Sequence, residues 1–102
     1  MAPEIVRIYG EEGMSVRAGD ENGLTLQMYK EFSNAPGTAV VFTAEELSAS
    51  EYEIEQGGEY VTVESGVVKV KAGYDASGMR EVKIRVKLNG ITSEVIVVKI
   101  II

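Results

Sequence analysis

Apolar residues recur at every second position through the second half of this chain, broken only by short turns containing Gly, Ser and Asn. Val61 and Val63 come first, then Val68, Val70 and Ala72, then Val82, Ile84, Val86 and Leu88, and last a run from Val95. Lys69, Lys71, Lys83, Arg85 and Lys87 fill positions between them. A period of two puts alternate side chains on opposite faces of a strand, one face buried and one wet. The spacing predicts strands over Tyr60–Val63, Val67–Ala72, Arg80–Leu88 and Ile91–Ile100. Asn89-Gly90 lies between two alternating runs, and both residues tolerate the left-handed backbone of a type I′ hairpin turn.

The first half carries the same signal less regularly. Strands are predicted over Glu4–Tyr9 and Met14–Ala18, separated by the loop through Gly13. Another follows over Leu24–Lys30, with Leu24, Leu26 and Met28 inward, after the turn cluster Gly19-Asp20-Glu21-Asn22-Gly23. Pro36-Gly37 breaks the chain before a strand at Ala39–Ala44. Thr43-Ala44-Glu45-Glu46 has the spacing of a helix N-cap, but Thr43–Ser50 is too short for an independent helix and is expected to be a turn or loop. Tyr52 and Ile54 share a face of a short edge strand, ended by Gly57-Gly58.

Seven to nine strands at spacings of roughly 8–12 residues fit an all-β sandwich or barrel. Long loops alternate with tight hairpins, which favours a sandwich of mostly antiparallel strands. The expected core is Leu24, Leu26, Phe42, Val61, Val63, Val68, Val70, Val82, Ile84 and Val86. The 102 residues hold one domain, residues 1–102, and 45% of them are hydrophobic, enough for a core without staples. No repeat or linker divides the chain. The apolar run ending in Ile100-Ile101-Ile102 reads as a last strand, as expected of a module taken from a longer polypeptide. It is too short to cross a bilayer, and Met1-Ala2-Pro3-Glu4 is no signal peptide.

The charge narrows the partners. Ten basic against sixteen acidic side chains leave a formal −6, which disfavours nucleic acid. One shared sheet face is weighed for the five basic residues named above against the simpler reading, solvated outward positions on strands. Acidic loops at Glu11-Glu12, Asp20-Glu21 and Glu45-Glu46 lie elsewhere, giving an electrically lopsided molecule.

Several segments carry a resemblance to a known family. They are the Val61-x-Val63 strand, the turn Ser65-Gly66-Val67-Val68, the second glycine Gly73, and the opening Met14–Asp20 followed by Leu24-Thr25-Leu26. This pattern resembles the bacterial immunoglobulin-like domains of group 2, which occur as tandem modules in invasin- and intimin-type adhesins and in phage virion proteins. The family often carries a Trp; this chain has none, and Tyr52 is the candidate substitute. The resemblance implies an immunoglobulin-like β-sandwich working as a rigid spacer or adhesion module on a bacterial surface, outside the cell, beside neighbouring domains. It also implies a monomer when isolated, with no membrane insertion and a protein or glycan ligand not identifiable here. Two alternatives are an accessory carbohydrate-binding module of a secreted enzyme and a phage decoration or tail-display domain.

Chemistry has little material. With no His and no Cys, the commonest general base and the thiol nucleophiles are missing. Glu45-Glu46 and Glu11-Glu12 are the carboxylate pairs, and loop exposure is the simpler reading of both. No catalytic, cofactor or metal residue is assigned, and no cofactor is expected. The oxygen-rich loops Asp20–Asn22 and Asp75 with Ser77 are the calcium candidates, weighed against solvated turns because neither has EF-hand spacing. Gly57-Gly58 and Gly73-x4-Gly78 open no helix and are not phosphate loops. Tyr9, Tyr29, Tyr52, Tyr60 and Tyr74 are candidate contact aromatics if exposed.

Overall fold

Strand alternation carries through the computed structural model, which describes residues 4–35, 37–72 and 80–101. The first half forms β1 (Ile5–Gly10), β2 (Met14–Arg17), β3 (Leu24–Thr25), β4 (Met28–Phe32) and β5 (Val40–Val41), followed by the helix α1 (Ala44–Ala49). The second half forms β6 (Glu51–Gln56), β7 (Val61–Glu64), β8 (Val67–Val70), β9 (Arg80–Leu88), β10 (Ile91–Thr92) and β11 (Ile96–Ile101). Apart from the six-residue helix, the fold is all-β.

β9 organises the larger sheet. It pairs antiparallel with β6, β10 and β11, and β2 joins the far side of β11 in parallel. Val82, Ile84, Val86 and Leu88 point inward from β9, as alternation requires, and the first three are completely buried. Fully burying such branched side chains contributes roughly 1.5–3 kcal/mol each, so β9 is firmly anchored. Asn89 and Gly90 sit at φ 52° and 80°, as the type I′ turn demands.

The remaining strands form two three-stranded sets, β1–β4–β5 and β3–β8–β7. Only Leu26 and Gln27 separate β3 from β4, and the Leu26 N–H donates to the Gly66 carbonyl at 2.8 Å, which ties the sets together. Ile8, Met28, Val61 and Val68 from these sets, Leu26 and Phe42 from their connections and Leu47 of α1 share one buried cluster with Met14, Val16, Ile96, Val98 and Ile100 of the larger sheet. Leu24, Val63 and Val70, expected in the core, are half-buried and pack against its rim.

Three expectations need correction. The Thr43–Ser50 segment is a capped helix, not a loop: Thr43 Oγ1 accepts the Glu46 N–H at 3.1 Å and Glu46 Oε1 accepts the Thr43 N–H at 3.0 Å. Buried Leu47 supplies the anchorage that an isolated six-residue helix lacks. Leu24–Lys30 and Ile91–Ile100 are each interrupted, at Leu26–Gln27 and at Ser93–Val95, which brings the strands among the described residues to eleven against the seven to nine expected. Finally, of the two readings weighed for the basic residues, the shared face fails. Lys69 lies on β8, whereas Lys83, Arg85 and Lys87 lie on β9 in a different sheet.

Register also fixes where the chain enters and leaves. The Glu94 N–H donates to the Ile8 carbonyl, Met14 pairs with Val98, and Arg17 pairs with Ile101. Residues 5–17 therefore run alongside 94–101 in the same direction. The described ends thus lie at opposite ends of this run, in a body measuring 51 × 21 × 20 Å. No helix among the described residues is long and apolar enough to cross a membrane.

Candidate functional site

Pairing of β1 with β4 places Ile8 opposite Lys30 toward the core. Alternation then turns Arg7 with Glu31, and Tyr9 with Tyr29, to the outer face. The two rings stack with centroids 5.5 Å apart, and the Arg7 guanidinium lies 4.2 Å from the Tyr9 ring centre. Arg7 grips Glu94 through both Nε and a terminal nitrogen and reaches Glu31 Oε1 at 3.4 Å. The Tyr29 hydroxyl donates to Glu11 Oε2 at 2.6 Å. An open groove of about 360 Å³ runs beside this array, between Tyr9, Glu11, Glu12, Glu94 and Val95.

These contacts leave the array electrostatically satisfied. The hydrogen bond from Arg7 holds the Glu94 carboxyl below its usual range. The bond to Glu11 pushes the Tyr29 phenol up, which disfavours its anion. Arg7, Glu94, Glu11 and the Tyr29 hydroxyl each already serve a neighbour. The arrangement suits a fixed contact surface better than proton transfer.

A second polar cluster is internal. Lys30, 5% exposed, pairs with Glu46, and its ammonium lies 5.4 and 5.7 Å from the ring centres of Phe42 and Phe32. Burial alone raises the Glu46 carboxyl, but the bonds from Lys30 and Thr43 outweigh it and leave it lowered. The pair ties α1 to β4.

The other candidates are spread over the molecule. Asp20 Oδ1 accepts the Asn22 N–H at 3.0 Å and so completes its own turn. Among the described residues no three acidic, His or Cys side chains gather as a metal site. Glu45 and Glu46 lie in the first turn of α1. Gly57-Gly58 forms the turn after β6, closed by the Tyr60 N–H on the Gly57 carbonyl. Tyr52 is half-buried, and its hydroxyl donates to the Leu47 carbonyl at 2.5 Å. The Arg80 guanidinium lies 4.8 Å from the Tyr60 ring centre. Tyr74, Asp75, Ser77 and the Gly73–Gly78 segment lie outside the described residues.

Lys83, Arg85 and Lys87 face outward from β9 beside Glu51, Glu53 and Glu55 of β6. Glu51 pairs with Lys87 and Glu53 with Arg85, and Arg85 Nε donates to Glu55 at 2.8 Å. Lys69 instead borders a separate groove with Glu21, Asn22 and Glu64. Two relationships escaped the sequence reading. Lys30 has the inward parity of Leu24, Leu26 and Met28, which was a legible sign of burial. The Tyr9–Tyr29 stack depends on register, which no local pattern specified.

Comparison with protein-family models, curated proteins and solved structures finds no match.

Proposed function

We propose that the chain is an immunoglobulin-like β-sandwich serving as a non-catalytic spacer or adhesion module of a bacterial surface protein, outside the cell. Immunoglobulin-like sandwiches divide their strands into an A-B-E-D set and a C-F-G set. With β1, β3–β4, β6, β7, β8, β9 and β11 taken in order as A to G, the pairings here follow that division. The parallel β2–β11 pair then extends the second set.

One observation carries the spacer reading. Chain entry and exit lie at opposite ends of the run that residues 5–17 make alongside 94–101, in a body 51 Å long, so modules joined end to end would extend in line. The cross-strand array on β1 and β4 and the single packed core make the module itself stiff.

The stacked Tyr9–Tyr29 pair is what favours the carbohydrate-binding alternative, since sugar rings stack on aromatic faces. Against it, the Arg7 guanidinium already lies over the Tyr9 ring. The spacer reading is therefore preferred.

Small-angle scattering tests it. Two copies joined tail to head should show a maximum dimension of about 100 Å, against 51 Å for one. A two-copy chain that folds back on itself, with little gain in length, overturns the spacer. Retention on a polysaccharide that is lost with Tyr29→Ala would instead select the carbohydrate-binding module.

A further inference from the structure

We infer that the free edge of β6 is a docking site for an extended partner segment of alternating basic and apolar residues, which adds to the sheet as one more strand. The inference rests on the placement of β6 and stands apart from the spacer reading.

Among the described residues β6 pairs with β9 alone, and none of its six residues is buried. The inner strands β9 and β11 alternate buried and open positions, so the pattern of β6 marks an open border. Such a border presents unpaired backbone N–H and C=O groups that can receive another strand. The irregularity between Ile54 and Gln56 limits the regular stretch to Glu51–Ile54.

The side chains define what would fit. Glu51 and Glu53 are exposed on the outer face, and Tyr52 and Ile54 lie half-buried against the core on the other. A strand added here would set alternate residues beside the two carboxylates and the others over Tyr52 and Ile54. The fold already contains one such partner. On its paired side β6 receives Lys87 against Glu51, Val86 against Tyr52, Arg85 against Glu53 and Ile84 against Ile54. A basic and apolar alternation is thus the chemistry that complements both faces of this strand.

The same carboxylates reject a second copy of β6. Edge-to-edge pairing would set Glu against Glu, and like charges directly opposite are destabilising. Attraction for a basic strand combined with repulsion of its own kind gives the edge selectivity.

The probe is the heptapeptide with the sequence of residues 82–88, titrated into the intact isotope-labelled chain to about 1 mM. Amide shifts and slowed hydrogen exchange should appear at Glu51–Ile54, with exchange along β9 unchanged. A peptide with Glu at its three basic positions should bind about tenfold more weakly or worse. In a Glu51→Lys/Glu53→Lys chain the preference between the two peptides should reverse. If that chain does not fold, Glu51→Gln/Glu53→Gln should show no preference. Absence of binding at the highest concentration, shifts centred on another surface, displacement of β9, or equal binding of both peptides to the unaltered chain overturns the proposal.

Discussion

The Ser93 hydroxyl stands in for a strand carbonyl opposite Val86. Its Oγ accepts the Val86 N–H at 2.8 Å, while the Ser93 N–H donates to the Val86 carbonyl at 2.7 Å. The same hydroxyl donates to the Glu94 carbonyl at 2.9 Å. This substitution lets the chain leave the β9 ladder between β10 and β11 without orphaning a buried donor. Freed from β9, Glu94 donates its N–H to Ile8 and holds Arg7 through its side chain. One serine thus allows the last strand to join the larger sheet to β1.

Replacing Ser93 by Ala removes the acceptor but leaves the Val86 N–H in a site where Ser93 is only 1% exposed. An unsatisfied buried donor costs about 2 kcal/mol. Urea unfolding should show a lower midpoint with an unchanged slope, because the fold and the surface exposed on unfolding stay the same.

Removing Glu46 should harm the chain more than removing Lys30. Glu46→Ala leaves the Lys30 ammonium among Phe32, Phe42 and the core edge without a counter-charge, at about 3 kcal/mol. It also deletes half of the capping box of α1, about 1 kcal/mol more. Lys30→Met keeps the buried volume, and the freed carboxylate, at 24% side-chain exposure, retains some water. The double change Lys30→Met/Glu46→Gln should lie close to Lys30→Met alone. A double-mutant cycle by chemical unfolding would show a coupling energy well above that of a surface pair.

How much of this was readable beforehand depends on whether the cause is local. Arg80–Leu88 was legible to the residue because its alternation is uninterrupted and Asn89-Gly90 closes it. The inward parity of Leu26 and Met28 was also legible. The helix was not, since the Thr43 cap signals a start but only Leu47 burial and Lys30 make six residues hold. Nor was the break at Ser93: the spacing predicts one strand over Ile91–Ile100, and the shift of Glu94 toward Ile8 is a contact across most of the chain. The basic residues illustrate the same limit. Parity placed Lys69 and Lys83 outward, but parity within a strand says nothing about which sheet the strand enters.

Acid should weaken the Lys30–Glu46 link only once the pH falls below the ordinary carboxylate range. The folded Glu46 carboxyl titrates below its ordinary value of 4.5, so its contribution is full above that pH and fades as the pH falls through the lower native value. Thermal midpoints measured downward from about pH 6 should hold until near the ordinary carboxylate range and then fall. In Glu46→Gln the acid limb should be shallower, with lower stability at neutral pH. An unchanged acid limb would mean that other carboxylates govern the transition.

Two glycines in the second position of similar tight turns should respond differently to Ala. Gly66 and Gly90 have nearly equal backbone angles, φ 81° and 80°, so each substitution brings the same left-handed strain, about 1 kcal/mol. Their surroundings differ. A Cβ at Gly66 would lie 2.8 Å from Leu47 Cδ2 and 3.1 Å from the Tyr52 hydroxyl, whereas at Gly90 it would meet nothing within 4 Å. Gly66→Ala therefore forces the Leu47 side chain to shift and crowds the Tyr52 hydroxyl that bonds the Leu47 carbonyl. Its cost should reach about 3 kcal/mol, against about 1 kcal/mol for Gly90→Ala. Calorimetric melting of the two variants gives the comparison. Equal shifts would show that the β7–β8 turn moves freely away from α1, and that Leu47 is not held by that turn.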